Sequence, residues 1–146
     1  MTRAFIEHLQ KRVAELLKKA GDKPLAVLAQ NYCHEIAYLA GNWILDEFPT
    51  ARVYMLKGII GKGVYHDMLL VEYEGKVYAI DPAIWRFFKH KKTVLVSIKQ
   101  TMPEAISEVQ KIYDGIWRIA EKMQKSGFEK RLEWERRVET KMDELV

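Results

Sequence analysis

The N-terminal segment has an amphipathic pattern. Between Thr2 and Lys19, apolar side chains recur three or four residues apart and so share one face of a helix: Phe5, Leu9, Val13, Leu16 and Leu17. Thr2 can cap the first turn through its hydroxyl, and Gly21 is a typical stop signal. The pattern predicts a first α-helix over residues 2–19.

A second helical stripe begins at the only cysteine of the chain. Its members share one face at helical spacing: Cys33, Ile36, Ala37, Ala40 and Ile44. Pro49 disfavours helical backbone in the preceding residue, so the helix should end near Phe48. The spacing predicts a helix that starts at Cys33, with the thiol facing inward along the apolar stripe.

Residues 51–98 favour extended structure. Turns are predicted at Gly61-Lys62-Gly63 and at Glu74-Gly75. The segments rich in β-branched and aromatic residues are 51–60, 65–73, 76–82 and 93–98. The pattern predicts a meandering, antiparallel sheet.

The hairpin around Glu74-Gly75 sets a register. If it closes symmetrically about these two residues, Met68 faces Asp81 across the strands. His66 shares a face with Met68 and becomes the diagonal neighbour of Asp81, about 7–8 Å away between backbones. This register predicts a hydrogen bond between the His66 imidazole and the Asp81 carboxylate, whereas a one-residue change in loop length would place them on opposite faces.

The apolar pattern predicts two helices over residues 101–146. Thr101 is a potential cap, Pro103 fits the first turn, and an apolar stripe predicts one long helix that ends near Ser126-Gly127. The stripe consists of Ile106, Val109, Tyr113, Ile116, Trp117, Ala120 and Met123. A second helix over 129–146 is highly charged and carries a thinner stripe of Leu132, Val138, Met142 and Leu145. It either packs loosely or docks on another subunit, which would give a homo-oligomer through this helix.

Composition narrows the class of protein. The 146 residues fit one domain, and 49% apolar with 30% charged residues is ordinary for a globular protein. No stretch approaches the roughly 20 apolar residues that span a bilayer, and the charged segment from Met1 to Lys19 does not resemble an export signal. A single cysteine excludes an internal disulfide. We therefore expect a cytoplasmic protein without a membrane partner.

Neither nucleic acid nor metal binding is indicated. The net charge is +4, and the densest basic run, Lys89-His90-Lys91-Lys92, is short enough to be a solvated loop. His8, His34 and His90 are isolated, and His34 is expected to point to a different side of the helix from Cys33. We expect no nucleic-acid partner, no metal and no organic cofactor.

Cys33 has two interpretations. A free cysteine is often a small buried hydrophobe, but at the start of a helix its thiolate is favoured and can act as a nucleophile. His66 and Asp81 favour the second interpretation, because they complete a Cys-His-acid set. Gln30 and Asn31 are candidates to join the Cys33 backbone N–H in an oxyanion hole, although Gln30 is also a plausible solvent-facing loop amide.

These residues resemble the transglutaminase-like cysteine superfamily, a branch of the papain-like fold. The resemblance covers about residues 24–88 and rests on the order of the motifs. These are Cys33 with Ala37 and Ala40, the extended segment 51–54, His66 before 69–72, and the strand 75–82 that ends in Asp81-Pro82. The chain departs from the pattern where many members have Gly before the cysteine and Ala-Trp after the histidine: here Tyr32 and Asp67-Met68 occupy those positions.

The resemblance implies an α+β fold in one domain. N-terminal helices would pack on a small antiparallel sheet in a papain-like core over about residues 24–100, and a C-terminal extension of two helices would cover about residues 101–146.

It also implies acyl transfer, with Cys33 as nucleophile, His66 as base and Asp81 as the group that orients His66. A cysteine peptidase or amidohydrolase acting on a protein or peptide is the first expectation. The alternatives are an acyltransferase resembling transglutaminases or arylamine N-acetyltransferases, and a non-catalytic interaction module.

Overall fold

A five-stranded antiparallel sheet lies at the centre of the molecule. The computed structural model describes the backbone of residues 1–145 and the side chains of residues 1–30, 32–127 and 129–138. The strands are β1 (Arg52–Ile60), β2 (Val64–Tyr73), β3 (Lys76–Ile80), β4 (Leu95–Lys99) and β5 (Ile116–Lys122), in the spatial order β4-β3-β2-β1-β5. The predicted α+β class and the small antiparallel sheet are confirmed.

Helices cover both faces of the sheet. They are α1 (Arg3–Lys19), α2 (Leu25–Leu28), α3 (Cys33–Glu47), α4 (Met102–Tyr113) and α5 (Phe128–Leu145), with 3-10 turns at Ala29–Asn31 and Ile84–Arg86. Alternate strand residues point to opposite faces, so Leu69 packs with α1 and α3 while Leu70 packs with α4. No helix within the described residues is long and apolar enough to cross a bilayer.

The first helix forms as its pattern predicts. The Thr2 hydroxyl accepts a hydrogen bond of 3.1 Å from the Phe5 backbone N–H and so satisfies one free donor of the first turn. The side chains that α1 buries are Ile6, Leu9, Val13, Leu16 and Leu17. Four of the five predicted positions are therefore buried, while Phe5 is half-buried beside Ile6. The predicted helix start at Cys33 and its end before Phe48 are also confirmed.

The hairpin between β2 and β3 has the predicted register. Glu74 and Gly75 both adopt positive φ, at 48° and 76°, which suits the tight turn between twisted antiparallel strands. Tyr73 therefore pairs with Lys76, and the ladder continues to Leu69 opposite Ile80. Asp81 follows directly, on the strand end nearest His66.

The prediction of one helix through residue 123 is wrong. Helix α4 ends at Tyr113 because Asp114 and Gly115 both take positive φ, and β5 then pairs with β1 at the edge of the sheet. Leu56 faces Ile119 whereas Met55 faces Glu121, so Ala120 is an extra residue in a β-bulge. The bulge interrupts the alternation of apolar and polar residues along β5. The remaining spacing of apolar residues also fits a helix, and this is why the sequence predicted one.

Helix α5 packs within the same chain. Trp134 and Val138 are buried in the core formed with α1 and α3, and Arg131 pairs with Asp46 of α3. Over the residues whose side chains are described, α5 is thus docked rather than loosely packed. The Met142 and Leu145 side chains lie outside the described residues.

Candidate active site

Cys33 is the first residue of α3. The chain reaches it through α2 and the 3-10 turn, and the buried Tyr32 precedes it as the helix cap, with its carbonyl accepting from the Ile36 N–H at 3.0 Å. The Cys33 side chain is half-buried. Free backbone N–H groups at a helix start favour negative charge nearby.

His66 lies on β2 just beyond the end of β3. It pairs with Gly58 of β1 on one side. On the other side the ladder to β3 stops at Leu69, so His66 does not pair with β3. Its side chain is 0% exposed. Three aromatic rings enclose it: Phe87 edge-on at 4.8 Å, Tyr113 stacked at 6.1 Å and Trp117 edge-on at 6.2 Å between centroids.

Asp81 holds the imidazole in place. His66 Nε2 donates to Asp81 Oδ2 at 2.8 Å, so the predicted neighbour relation is observed. The Tyr113 hydroxyl donates to the same oxygen at 2.7 Å, and the Ala83 N–H donates to Oδ1 at 3.0 Å. The carboxylate is fully buried and fixed by these three donors, which restricts the rotation of the ring.

The buried pair shifts the pKa of its members. Burial lowers the pKa of His66, but the charge and hydrogen bond of Asp81, with a smaller contribution from Cys33, outweigh burial and raise it to about 9. Burial and the Asp81 charge both raise the pKa of Tyr113 above its usual range. Near neutral pH, His66 is therefore an imidazolium and Tyr113 a neutral donor.

The two ring nitrogens of His66 face different partners. Nε2 is bound to Asp81, while Nδ1 is buried and has no hydrogen bond of good geometry to a described residue. Cys33 nevertheless lies close enough to raise the pKa of the imidazole through hydrogen bonding and charge. The structure thus brings Cys33, His66 and Asp81 together.

Arg86 is a site residue that sequence reasoning missed. Its Nη1 lies 3.9 Å from Cys33 Sγ and donates to the Tyr65 carbonyl at 2.7 Å, and the guanidinium lies 5.0 Å from the centre of the Phe87 ring. No described carboxylate pairs with it. A usable signal was present, because Arg86 is the only charged residue in the otherwise apolar run over residues 82–88.

The proposed oxyanion residues are less well placed. Gln30 is exposed on the 3-10 turn, and its amide makes no hydrogen bond to any residue that the structure describes. The Asn31 side chain lies outside the described residues. The backbone N–H of Cys33 and the Arg86 guanidinium are the donors that the structure places at the thiol.

A second histidine–carboxylate pair lies beside the first. His34 Nδ1 donates to Asp67 Oδ2 at 2.8 Å. This bond joins the residue after Cys33 to the residue after His66, and so fixes the start of α3 against β2. Among the described residues, no group of three or more His, Cys, Asp or Glu side chains could hold a metal ion.

Comparison with known proteins gives no match: no family model, no curated protein and no solved structure resembles this chain closely enough to be significant.

Proposed function

We propose that this protein is a thiol-dependent acyl-transfer enzyme that acts as a cysteine peptidase or amidohydrolase. The observation that carries the proposal is the buried His66–Asp81 pair at 2.8 Å, with Cys33 close enough to the imidazole to raise its pKa. The observed arrangement supports a nucleophile, a proton carrier and an orienting carboxylate.

Stability alone does not account for this arrangement. A buried ion pair loses hydration that its attraction only partly restores, and apolar side chains of similar volume commonly stabilise a core as well or better. Here the pair is fully buried and ringed by aromatic residues. Strongly shifted titratable groups beside a half-buried thiol are typical of active sites.

The reaction would proceed in two steps. The Cys33 thiolate attacks the carbonyl carbon of an amide, and the tetrahedral oxyanion forms beside the Cys33 backbone N–H and Arg86. His66 then gives its proton to the leaving amine, the C–N bond breaks and a thioester remains. Neutral His66 next takes a proton from water as the resulting hydroxide attacks the thioester carbonyl carbon. The C–S bond then breaks, the free acid is released, and the Cys33 thiolate and the His66 imidazolium are restored.

We also propose that the chain has a papain-like, transglutaminase-like core. A thiol at a helix start, a histidine on a strand and an aspartate after the hairpin partner support that resemblance. We also propose a cytoplasmic location, since a reducing compartment keeps the single, half-buried thiol in its reactive form.

Alkylation of Cys33 tests the proposal directly. The rate with iodoacetamide is measured from pH 5 to 9, and the adduct is located by mass spectrometry. An activated thiol reacts well below about pH 8, whereas an inert core thiol does not. Turnover of a casein digest and of fluorogenic peptides is then compared between wild type and Cys33→Ser.

We expect Cys33→Ser to abolish turnover while the fold persists, because a hydroxyl has the shape of the thiol but is a much weaker nucleophile. Mass spectrometry of the products, with an added primary amine, shows whether water or the amine captures the acyl group. Equal turnover by the two proteins, or a thiol that reacts only above pH 8, contradicts the enzyme proposal.

A further inference from the structure

A groove lies on the α3 face of the sheet, beyond the start of α3. It encloses about 530 Å³ and runs across β1, β2 and β5. Its lining consists of Lys57, Gly58, Ile59, Tyr65, Asp67, Ile116 and Arg118.

The groove exposes a contiguous apolar surface. Ile59 faces Tyr65 on one side and Ile116 on the other, so the three side chains form a row across three strands. They are 44%, 64% and 73% exposed. Single exposed apolar residues are common, but a continuous row of this kind is typical of an interaction site.

Beside that row the groove is positively charged. Lys57 faces Arg118 directly, an arrangement that destabilises an antiparallel pair, and neither makes an ion pair with a described residue. The one carboxylate of the groove, Asp67, faces Lys57 from the β2 side and is bound to His34. The groove therefore holds two cations against one carboxylate, and this excess of positive charge favours an anionic ligand.

The groove is continuous with the candidate active site at two points. The Tyr65 carbonyl accepts from Arg86 Nη1, which lies 3.9 Å from Cys33 Sγ. Asp67 binds His34, the residue after the thiol. A chain segment lying in the groove would therefore pass beside Cys33.

We propose that this groove binds the peptide substrate, and that it selects a segment with alternating apolar and acidic residues next to the scissile bond. An apolar side chain lies over Ile59, Tyr65 and Ile116, and a carboxylate binds between Lys57 and Arg118. This inference rests on the proposed function, since it assigns the substrate of that same thiol.

Two capped pentapeptides test the groove. One alternates leucine with glutamate and the other leucine with lysine, and neither carries an electrophile. Their binding to Cys33→Ser is measured by fluorescence anisotropy, and their protection of wild-type Cys33 from iodoacetamide is measured at pH 7. We expect the acidic peptide to bind and to slow alkylation about tenfold at saturation, and the basic peptide to do neither at the same concentration.

Arg118→Glu is the informative variant. It places a carboxylate opposite Lys57 where wild type has a second cation, so the fold should persist. The affinity for the acidic peptide should fall at least about tenfold. Lys76→Glu, an exposed change at the far end of β3, is the matched control and should bind as wild type does.

The outcomes separate the two proposals. If Cys33 is alkylated well below pH 8 and the two peptides bind and protect it equally, the groove assignment is overturned and the enzyme proposal still stands. Selective binding of the acidic peptide to Cys33→Ser, with a thiol that reacts only above pH 8, supports the groove and contradicts the enzyme. A dimer in sedimentation that Ile116→Lys dissociates, without selective peptide binding, assigns the groove to self-association and also overturns the inference.

Discussion

At the scale of single residues, a substitution of Asp81 tests whether its carboxylate orients and charges His66 or only fills a buried position. Asp81→Asn keeps the size of the side chain but loses the charge that raises the pKa of His66. We expect the fold to persist and turnover to fall by about 10²- to 10⁴-fold, because the ring loses its preferred tautomer and its imidazolium is less stabilised. Iodoacetamide should also react more slowly with Cys33 at pH 7. Unchanged turnover and alkylation would reduce Asp81 to a strand terminator.

His66 makes the stability of the fold depend on pH. Its pKa is raised from 6.5 to about 9, so the folded state holds this proton more tightly than the unfolded state. The resulting stabilisation is fully present below about pH 6.5 and is lost as the pH rises through about 9, a difference on the order of 3 kcal/mol.

Urea unfolding at pH 6 and pH 10 measures this contribution. The wild-type free energy of unfolding should fall more between the two conditions than that of His66→Gln, which lacks the titrating ring. His8→Gln, an exposed substitution, should follow the wild type. Parallel behaviour of wild type and His66→Gln would show that the imidazole binds its proton no more tightly in the folded state.

We expect Arg86 to act on the thiol through its charge. Its Nη1 lies 3.9 Å from Cys33 Sγ, where a cation stabilises a thiolate. Arg86→Gln should slow alkylation of Cys33 at pH 7 by about three- to tenfold, and Arg86→Lys should retain part of the wild-type rate because the charge remains. High salt should have little effect on the difference at so short a distance. Equal rates for all three proteins would assign Arg86 to packing against Phe87.

At the scale of elements, the junction between α4 and β5 depends on Gly115. Its φ is +84°, and a Cβ there would clash with the Ile59 carbonyl oxygen. Gly115→Ala should lower the free energy of unfolding by about 2–4 kcal/mol, because both the strained φ and the clash oppose β5 pairing with β1. Gly127→Ala, with no atom within 4 Å of its added Cβ, is the control and should change little. Similar unfolding midpoints for the two variants would contradict this account.

Elements whose signals are local were predictable from the sequence. The turn at Glu74-Gly75 fixed the hairpin register, and that register brought His66 to Asp81. Strand β5 was missed because its bulge at Ala120 removes the alternation by which a strand is recognised. The periodicity of apolar residues then favoured a helix, although Asp114-Gly115 was a turn signal within it.

Contacts between distant elements were not predictable in the same way. Tyr113 reaches Asp81 from the end of α4, and Arg86 reaches Cys33 from a 3-10 turn, across 32 and 53 positions of the chain. Neither residue has a local pattern that sets its partner, since both contacts depend on how the layers pack. The sequence thus indicated Cys33, His66 and Asp81 as the proposed nucleophile, base and acid, but not Tyr113 and Arg86, which contact Asp81 and Cys33.

At the scale of the whole molecule, the candidate site lies where the three layers meet. Cys33 comes from the helical layer on one face, His66 from the end of a central strand, and Tyr113 from the helix on the other face. Because β2 extends past β3, residues of both helical layers can contact the buried His66 imidazole at that end of the sheet. The site therefore requires both helical layers to be docked.

Helix α5 belongs to that docked structure. Trp134 is 6% exposed and stacks on Tyr38 at 4.9 Å, and Tyr38 in turn contacts the ring of His34 at 4.8 Å. We expect Trp134→Ala to lower the free energy of unfolding by about 3–5 kcal/mol, because it leaves a large cavity between α3 and α5. In urea, the midpoint should fall in a single transition with an unchanged slope, since the whole domain unfolds together.

Glu133→Ala provides the comparison on the same helix, because its side chain is 46% exposed and its ion pairs with Lys130 and Arg137 lie at the surface. It should change the free energy of unfolding by less than about 1 kcal/mol. An early separate transition in the wild type, or a Trp134→Ala midpoint equal to that of Glu133→Ala, would mean that α5 packs loosely and that the core unfolds without it. A lower midpoint for Trp134→Ala, combined with the same sedimentation behaviour as the wild type, would show that Trp134 packs within the protomer rather than between subunits.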